Sequence, residues 1–285
     1  KVVHLCVQDF GGAGKAAYRL HKGLQIIGID SKMLVMNKMS GDSSVKVLPS
    51  EYSSSAVRCL DRAVHISSAW KKQLTRWNSE WQKYPYRPSG LEAFTDALSD
   101  IKLDQVIEIQ EADIINLHWV AGLLDFSRAP MSLKDKHIIW TLHDMNPFTG
   151  GCHYSGNCEK YKENCGACPQ LGSMLEDDLS RQIWNEKQLA YQNLHLSIIS
   201  PSQWLCAIAL QSKLLSGVNA TVIPNGFPLD IFKPIDKKNI REKLNIPESA
   251  KVILFGADSI VNQRKGLQYL LNALDQYSSQ SENET

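Results

Sequence analysis

Apolar residues recur along this chain in short runs, and between them the apolar period lengthens towards 3.6. Val2 to Val7 is the first run. Met33 to Met36, Val45 to Leu48, Asp113 to Leu117, Ile138 to Leu142, Leu196 to Ile199 and Thr221 to Ile223 follow. Short β-rich runs bounded by turn residues read as strands buried on both faces. After the first run, Ala17, Leu20, Leu24 and Ile27 share one helical face, in a helix that begins near Gly14 and has Gly28 as its C′ residue. Ser202 is placed to cap a second helix through Leu210. Strand and helix alternate, so the pattern predicts an α/β chain with a parallel, doubly wound, Rossmann-like sheet. Strands in such sheets end on a common edge, where ligands bind. His118, His143 with Asp144, and Ser202 each follow a strand, so these polar residues are expected to face one crevice.

Two stretches break the pattern. Ser53 to Ser55 could open a helix through about Trp70, and beyond it Trp70, Trp77 and Trp81 lie among Lys71, Lys72, Arg76 and Lys83. Basic residues interleaved with tryptophans suit peripheral membrane contact or an acceptor-binding wall over residues 70–87; the bland alternative is an irregular helix with solvated charges. From Phe227 the sequence FPLDIFKPIDKK reads as a linker. A short helix ending near Leu244, a strand over Lys251 to Phe255, a polar loop to Arg264 and a helix from Gly266 then form the first βα unit of a second Rossmann-like domain. The expected division is 1–226 and 227–285, with the C-terminus cut or degenerate.

Composition narrows the function classes. The chain has 285 residues, 43% hydrophobic and 21% charged, enough for a sizeable core. A net charge of +1 gives no electrostatic basis for nucleic-acid binding. No apolar run reaches the roughly 20 residues of a membrane span, and Val2 to Val7 is too short for a signal peptide's apolar region. These features point to the cytoplasm, with the inner membrane face as a possible contact.

The turn Gly11-Gly12-Ala13-Gly14 fits part of a dinucleotide fingerprint, but the expected acid after the second strand is missing, since that strand ends Met36-Asn37-Lys38. A phosphate-binding lysine loop is also incomplete, because Lys15 is not followed by Ser or Thr. Glycines there either let strand and helix pack or let backbone approach a phosphate or sugar at a helix N-terminus.

Taken together, FGGAG, NLHW, TLHD, HDMNPFTGGCHYSGNCEKYKENCGACPQLGS, SPSQW, VIPNGFPLDIFKP and NQRKG resemble the retaining family 4 glycosyltransferases of GT-B fold. The likeness is strongest to bacterial enzymes of capsule, exopolysaccharide or colanic-acid assembly. It implies transfer from a nucleotide-diphosphate sugar to a glycan or lipid-linked acceptor, without a catalytic metal. By motif position it implies that Gly12 and Gly14 approach the donor, that His143 contacts the transferred sugar, and that Arg264 and Lys265 bind pyrophosphate. His118, Asp144 and Ser202 would line the cleft. Where many relatives carry arginine after the second-domain glycine, Gly256 is followed here by Ala257, and the family's acidic pair would lie beyond Thr285. The 285 residues alone are therefore expected to hold a donor poorly.

Four of the seven cysteines, Cys152, Cys158, Cys165 and Cys168, lie in the long segment after His143. Cys165-x-x-Cys168 suits half of a tetrahedral structural zinc site, with His153 able to replace a thiolate. Two disulfides or free thiols are the alternatives, and a metal would hold the segment as a lid. Cys6, Cys59 and Cys206 read as core residues. The competing functions are an NAD(P)-dependent oxidoreductase, resting on Gly12-x-Gly14, and a non-catalytic zinc-stapled binding domain.

Overall fold

The computed structural model of the chain describes residues 1–48, 84, 86–88, 93–257, 259–260 and 262–283. The tryptophan-basic stretch falls outside the described residues except at 84 and 86–88. Within the first of two compact units, Lys1–Pro228, seven strands form one sheet. They are β1 (Val2–Gln8), β2 (Ser31–Asn37), β3 (Val45–Val47), β4 (Ile114–Leu117), β5 (His137–Thr141), β6 (His195–Ser200) and β7 (Asn219–Val222). The order is β3-β2-β1-β4-β5-β6-β7 and every pairing is parallel. This is an α/β, Rossmann-like sheet, and the strand order reverses between β1 and β4.

The strands bury two unlike faces. Val3, Leu5 and Val7 of β1 join Ile115, Leu117, Ile138, Trp140 and Ile198 in the large core. The other face carries a smaller cluster of Cys6, Met33, Val35 and Val45 under Ala17 of helix α1 (Gly11–Ile26). The register sets His4 beside Asn116 and continues along that second face to Thr141, whose hydroxyl donates to Asn116 Oδ1 at 2.9 Å. A buried hydroxyl–amide pair is tolerated there because each group satisfies the other.

Helix α1 ends as its sequence predicts. Gly28 has φ +84°, and Ile29 N–H and Gly28 N–H donate to Leu24 and Gln25 carbonyls, the paired bonds of a Schellman cap. Short helices α2 (Ile107–Gln110) and α3 (Ala129–Ser132) follow, then α4 (Leu179–Gln192) and α5 (Gln203–Gln211). Among the described residues no helix is long and apolar enough to cross a membrane.

The second unit, Leu229–Thr285, contains α6 (Lys237–Lys243) and α7 (Leu267–Asn283). The expected strand over Lys251 to Phe255 pairs with nothing among the described residues, and Val252, Ile253 and Leu254 are exposed. A parallel strand exists only through a hydrogen-bonded neighbour, and the described residues of this unit supply none.

Candidate functional site

The carboxyl edge at the β1/β4 reversal brings together the turn after β1 and the ends of β4 and β5. Gly11 takes φ +67°, a conformation that favours glycine, and starts α1 directly. A Cβ on Gly14 would lie 2.4 Å from the Gln8 carbonyl oxygen, so this glycine lets α1 pack against the end of β1. At Gly12 a Cβ would meet nothing within 4 Å. Phe10 at the N-cap makes no side-chain cap, and the first turn holds no acid. Gly12 is exposed at this helix start, whose first amides have no intrahelical acceptor, and such helix starts accept an anion or a sugar hydroxyl. The neighbouring Asp9 is committed elsewhere: its carboxylate accepts from Met39 and Ser40 amides at 2.8 and 2.9 Å.

His143 follows β5 on the same edge and is half-buried. Its Nε2 lies 3.0 Å from His118 Nδ1, and the rings stack at 5.3 Å. His118 is buried, and its Nε2 lies 3.1 Å from Nδ1 of His4 in β1. His118 thus stands behind His143 with both nitrogens engaged, rather than beside it in the crevice. Burial pushes His143 down to about 4, partly opposed by Asp144, and pushes His4 down to about 3. Burial first, then the two neighbouring imidazoles, hold His118 well below its ordinary value. All three are neutral at pH 7.

Asp144 does not reach into the crevice. One oxygen accepts from the Asn146 amide at 2.9 Å, and the other lies 2.6 Å from His153 Nδ1. His153 Nε2 lies 2.7 Å from the Thr95 hydroxyl. Trp119 Nε1 also approaches His153 Nδ1, at 3.2 Å, but the shorter carboxylate contact takes that nitrogen as a donor. With both ring nitrogens occupied, His153 is no substitute thiolate. Ser202 caps α5, its hydroxyl accepting from the Leu205 amide at 3.2 Å.

The segment from Asn146 to Asp178 sends several of its side chains into the core. Phe148 and Leu171 are fully buried, and Asp178 caps α4 while also accepting from the Cys168 amide at 2.8 Å. Lys187 of α4 is buried and donates to the carbonyls of Asn146 and Thr149. Burial lowers it to about 8. Neither Lys187 nor the Asp144–His153–Thr95 chain was legible in the sequence. A lysine in an amphipathic helix reads as surface, and Thr95 lies 58 residues from its partner.

The four cysteines of this segment line one cavity with Phe94, Gly150 and Tyr161. They are free thiols. Among the described residues no group of three or more His, Cys, Asp or Glu is placed to hold a metal ion, so the expected zinc site finds no support. The thiols share a cavity without converging on one point. Burial raises Cys165 to about 11 and Cys152 further, and the Gly150 amide donates to Cys165 Sγ at 3.1 Å. Neutral thiols of this kind behave as small apolar side chains.

Arg264 and Lys265 belong to the second unit. They end a short turn over Gln263–Lys265 that Asn262 caps, and Gly266 follows at φ +83°.

No family model matches the chain. It is 35% identical over 79 residues to the lipopolysaccharide 1,2-N-acetylglucosaminetransferase of Salmonella typhimurium (strain LT2), a stretch covering 28% of this chain and 20% of that protein. It is 36% identical over 74 residues to a protein of Escherichia coli (strain K12) named "Putative colanic acid biosynthesis glycosyl transferase WcaC", covering 24% of this chain and 18% of that one. Each match spans about a fifth of the relative's length.

Proposed function

We propose that this chain is the acceptor-side part of a glycosyltransferase of surface-polysaccharide assembly. It would move a sugar, with retention, from a nucleotide-diphosphate donor to a glycan or lipid-linked acceptor. What supports the reading is the shared sheet edge: a helix start without a side-chain cap at Gly12, after β1, and His143, after β5, both follow strand ends on that edge. Similarity to two named glycosyltransferases supports it. Residues 1–226 would form the acceptor-side domain, and 227–285 the start of the donor-nucleotide domain.

The chemistry follows from the groups present. Retaining transfer without a firm nucleophile depends on stabilising the departing pyrophosphate while an acceptor hydroxyl enters on the same face of the sugar. Amides at a helix start would neutralise charge developing on the leaving oxygens. His143, neutral, would hydrogen-bond the transferred sugar without imposing a fixed charge. A nicotinamide enzyme fits less well. Where an acid would hold the ribose, Lys38 donates instead to the Asp42 and Val45 carbonyls at 2.7 and 2.8 Å.

Calorimetric titration of the chain with UDP, GDP, UDP-N-acetylglucosamine and NADH tests the assignment. Saturable binding of a nucleoside diphosphate or its sugar, weakened by His143→Ala, is the expected result. Binding of NADH alone would replace this reading with an oxidoreductase, and silence towards all four even at millimolar ligand, where a poorly held donor still registers, would replace it with a non-catalytic binding domain.

A further inference from the structure

Three imidazoles, His4, His118 and His143, form one hydrogen-bonded line from the sheet interior to the crevice. The two nitrogen–nitrogen contacts are 3.1 and 3.0 Å. A neutral imidazole has one N–H and one bare nitrogen. His118 uses both nitrogens in the line, so it must donate through one and accept through the other. That constraint ties all three rings into a single choice with two settings.

In one setting, His118 Nδ1–H donates to His143 Nε2, and His4 Nδ1–H donates to His118 Nε2. His143 then carries its proton on Nδ1, and His4 Nε2 is a bare lone pair. In the other setting every bond reverses. His143 Nδ1 becomes the bare nitrogen, and His4 Nε2 carries an N–H. The inner end decides between them. His4 is fully buried, and its Nε2 has no hydrogen-bond partner among the described residues. A buried N–H without a partner is rarer and costlier than a buried acceptor left bare. His21, whose ring meets that of His4 edge-on at 5.9 Å, offers no alternative, because its nitrogens are taken by Ser31 and Ser44 hydroxyls at 2.7 and 2.8 Å.

We propose that His118 and His4 are positioning residues that lock His143 as the Nδ1–H tautomer, so that it presents a hydrogen-bond donor to the crevice. The ligand group it selects is therefore an oxygen acceptor, such as a sugar hydroxyl or ring oxygen, and not a donor-only group such as an ammonium. Only the identity of that ligand rests on the glycosyltransferase reading; the tautomer belongs to the empty protein. The line also explains why the ring stays neutral. A proton added at His143 would place an N–H on His4 Nε2 if both inner bonds were kept. The low values of all three rings agree with this.

Nitrogen-15 NMR of the histidine-labelled chain near pH 7.5, without ligand, reads the tautomer directly; His143→Gln assigns the signal. The expected spectrum has His143 Nδ1 protonated and Nε2 bare, opposite to the preference of free histidine. His4→Phe removes the inner donor while filling the same space, and should move His143 towards the Nε2–H form. A His143 protonated on Nε2 in the unaltered chain overturns the proposal. So does a folded His4→Phe chain in which the His143 signals do not move. If His4→Phe fails to fold, the unaltered spectrum decides alone. UDP titrated into the same sample separates the two claims: an Nδ1–H ring that ignores UDP leaves the lock standing and removes the ligand assignment.

Discussion

Two of the three glycines of the first turn, Gly14 and Gly12, have different tasks, and each task has its own measurable consequence. At Gly14 an added methyl would sit 2.4 Å from one backbone atom and 2.9 Å from another, neither of which can swing away. Gly14→Ala is expected to destabilise the chain by about 1–3 kcal/mol, the usual cost of overpacking. Gly12 lies inside α1 with open space around it, so Gly12→Ala should stabilise by about 0.5–1 kcal/mol through lost backbone entropy. If a phosphate or sugar comes to this helix start, the same methyl should weaken UDP binding roughly tenfold, about 1.4 kcal/mol. Denaturant melts and a UDP titration of both variants check this. A Gly12→Ala chain that binds UDP as well as the parent would remove Gly12 from the site. His143 was readable because polar residues at strand ends gather on one edge. His4 was not: inside Val-Val-His-Leu-Cys-Val it reads as a strand residue, and its task exists only once β1 and β4 are set in register.

At the scale of elements, the strands were legible to within about two residues because each is a short apolar run ending in turn chemistry. The segment from His143 to Asp178 was legible as unusual but not as core. Its burial rests on partners far along the chain, above all Lys187, 41 and 38 residues from the carbonyls it caps. Lys187→Met keeps most of the volume and leaves both carbonyls without that donor. An unsatisfied buried acceptor costs about 1–3 kcal/mol, so the variant should lose roughly 2–4 kcal/mol at pH 7. The loss should also depend on pH. Lys187 titrates near 8 in the folded chain and near 10.5 when unfolded. Between those values the unfolded chain binds more protons, so Lys187 adds stability as pH rises through that window. The gap between parent and variant should therefore widen from pH 8 to 10.5, towards a ceiling of about 3 kcal/mol at 1.36 kcal/mol per unit. Cys152 and Cys165 interact electrostatically with Lys187, so the measured gap belongs to the lysine together with these thiols. Urea melts at pH 7 and pH 10 measure the gap; one that narrows with pH would show that folding raises the Lys187 pKa instead of lowering it.

Across the whole molecule the two compact units differ in what can hold them. The first has seven strands, a two-faced sheet and a large buried core. In the second, none of the described residues is buried, and Leu229, Ile231, Leu244 and Ile253 are among its exposed apolar side chains. Its longest element, α7, has 17 residues, and a helix of that length without a packed face is marginal in water. The sequence alone suggested a Rossmann-like βα unit there, because Lys251 to Phe255 has the composition of a buried strand; composition specifies such a strand only when a neighbour completes the ladder. Burial that slight sets the local opening free energy near zero, whereas the sheet opens only with the global transition. Limited trypsin digestion under native conditions should therefore cut between Leu229 and Asn283 well before it cuts between 93 and 228, at rates close to those of an unstructured peptide. The block from 93 to 228 should stay intact far longer. If mass spectrometry instead shows first cuts inside 93–228 with the second unit whole, the exposed apolar residues of that unit are covered in solution. Repeating the digestion with saturating UDP then asks a sharper question of the proposed function. Arg264 and Lys265 are trypsin sites themselves, so a nucleotide held by them should slow cleavage at those two bonds more than at Lys237, Lys238 or Lys243.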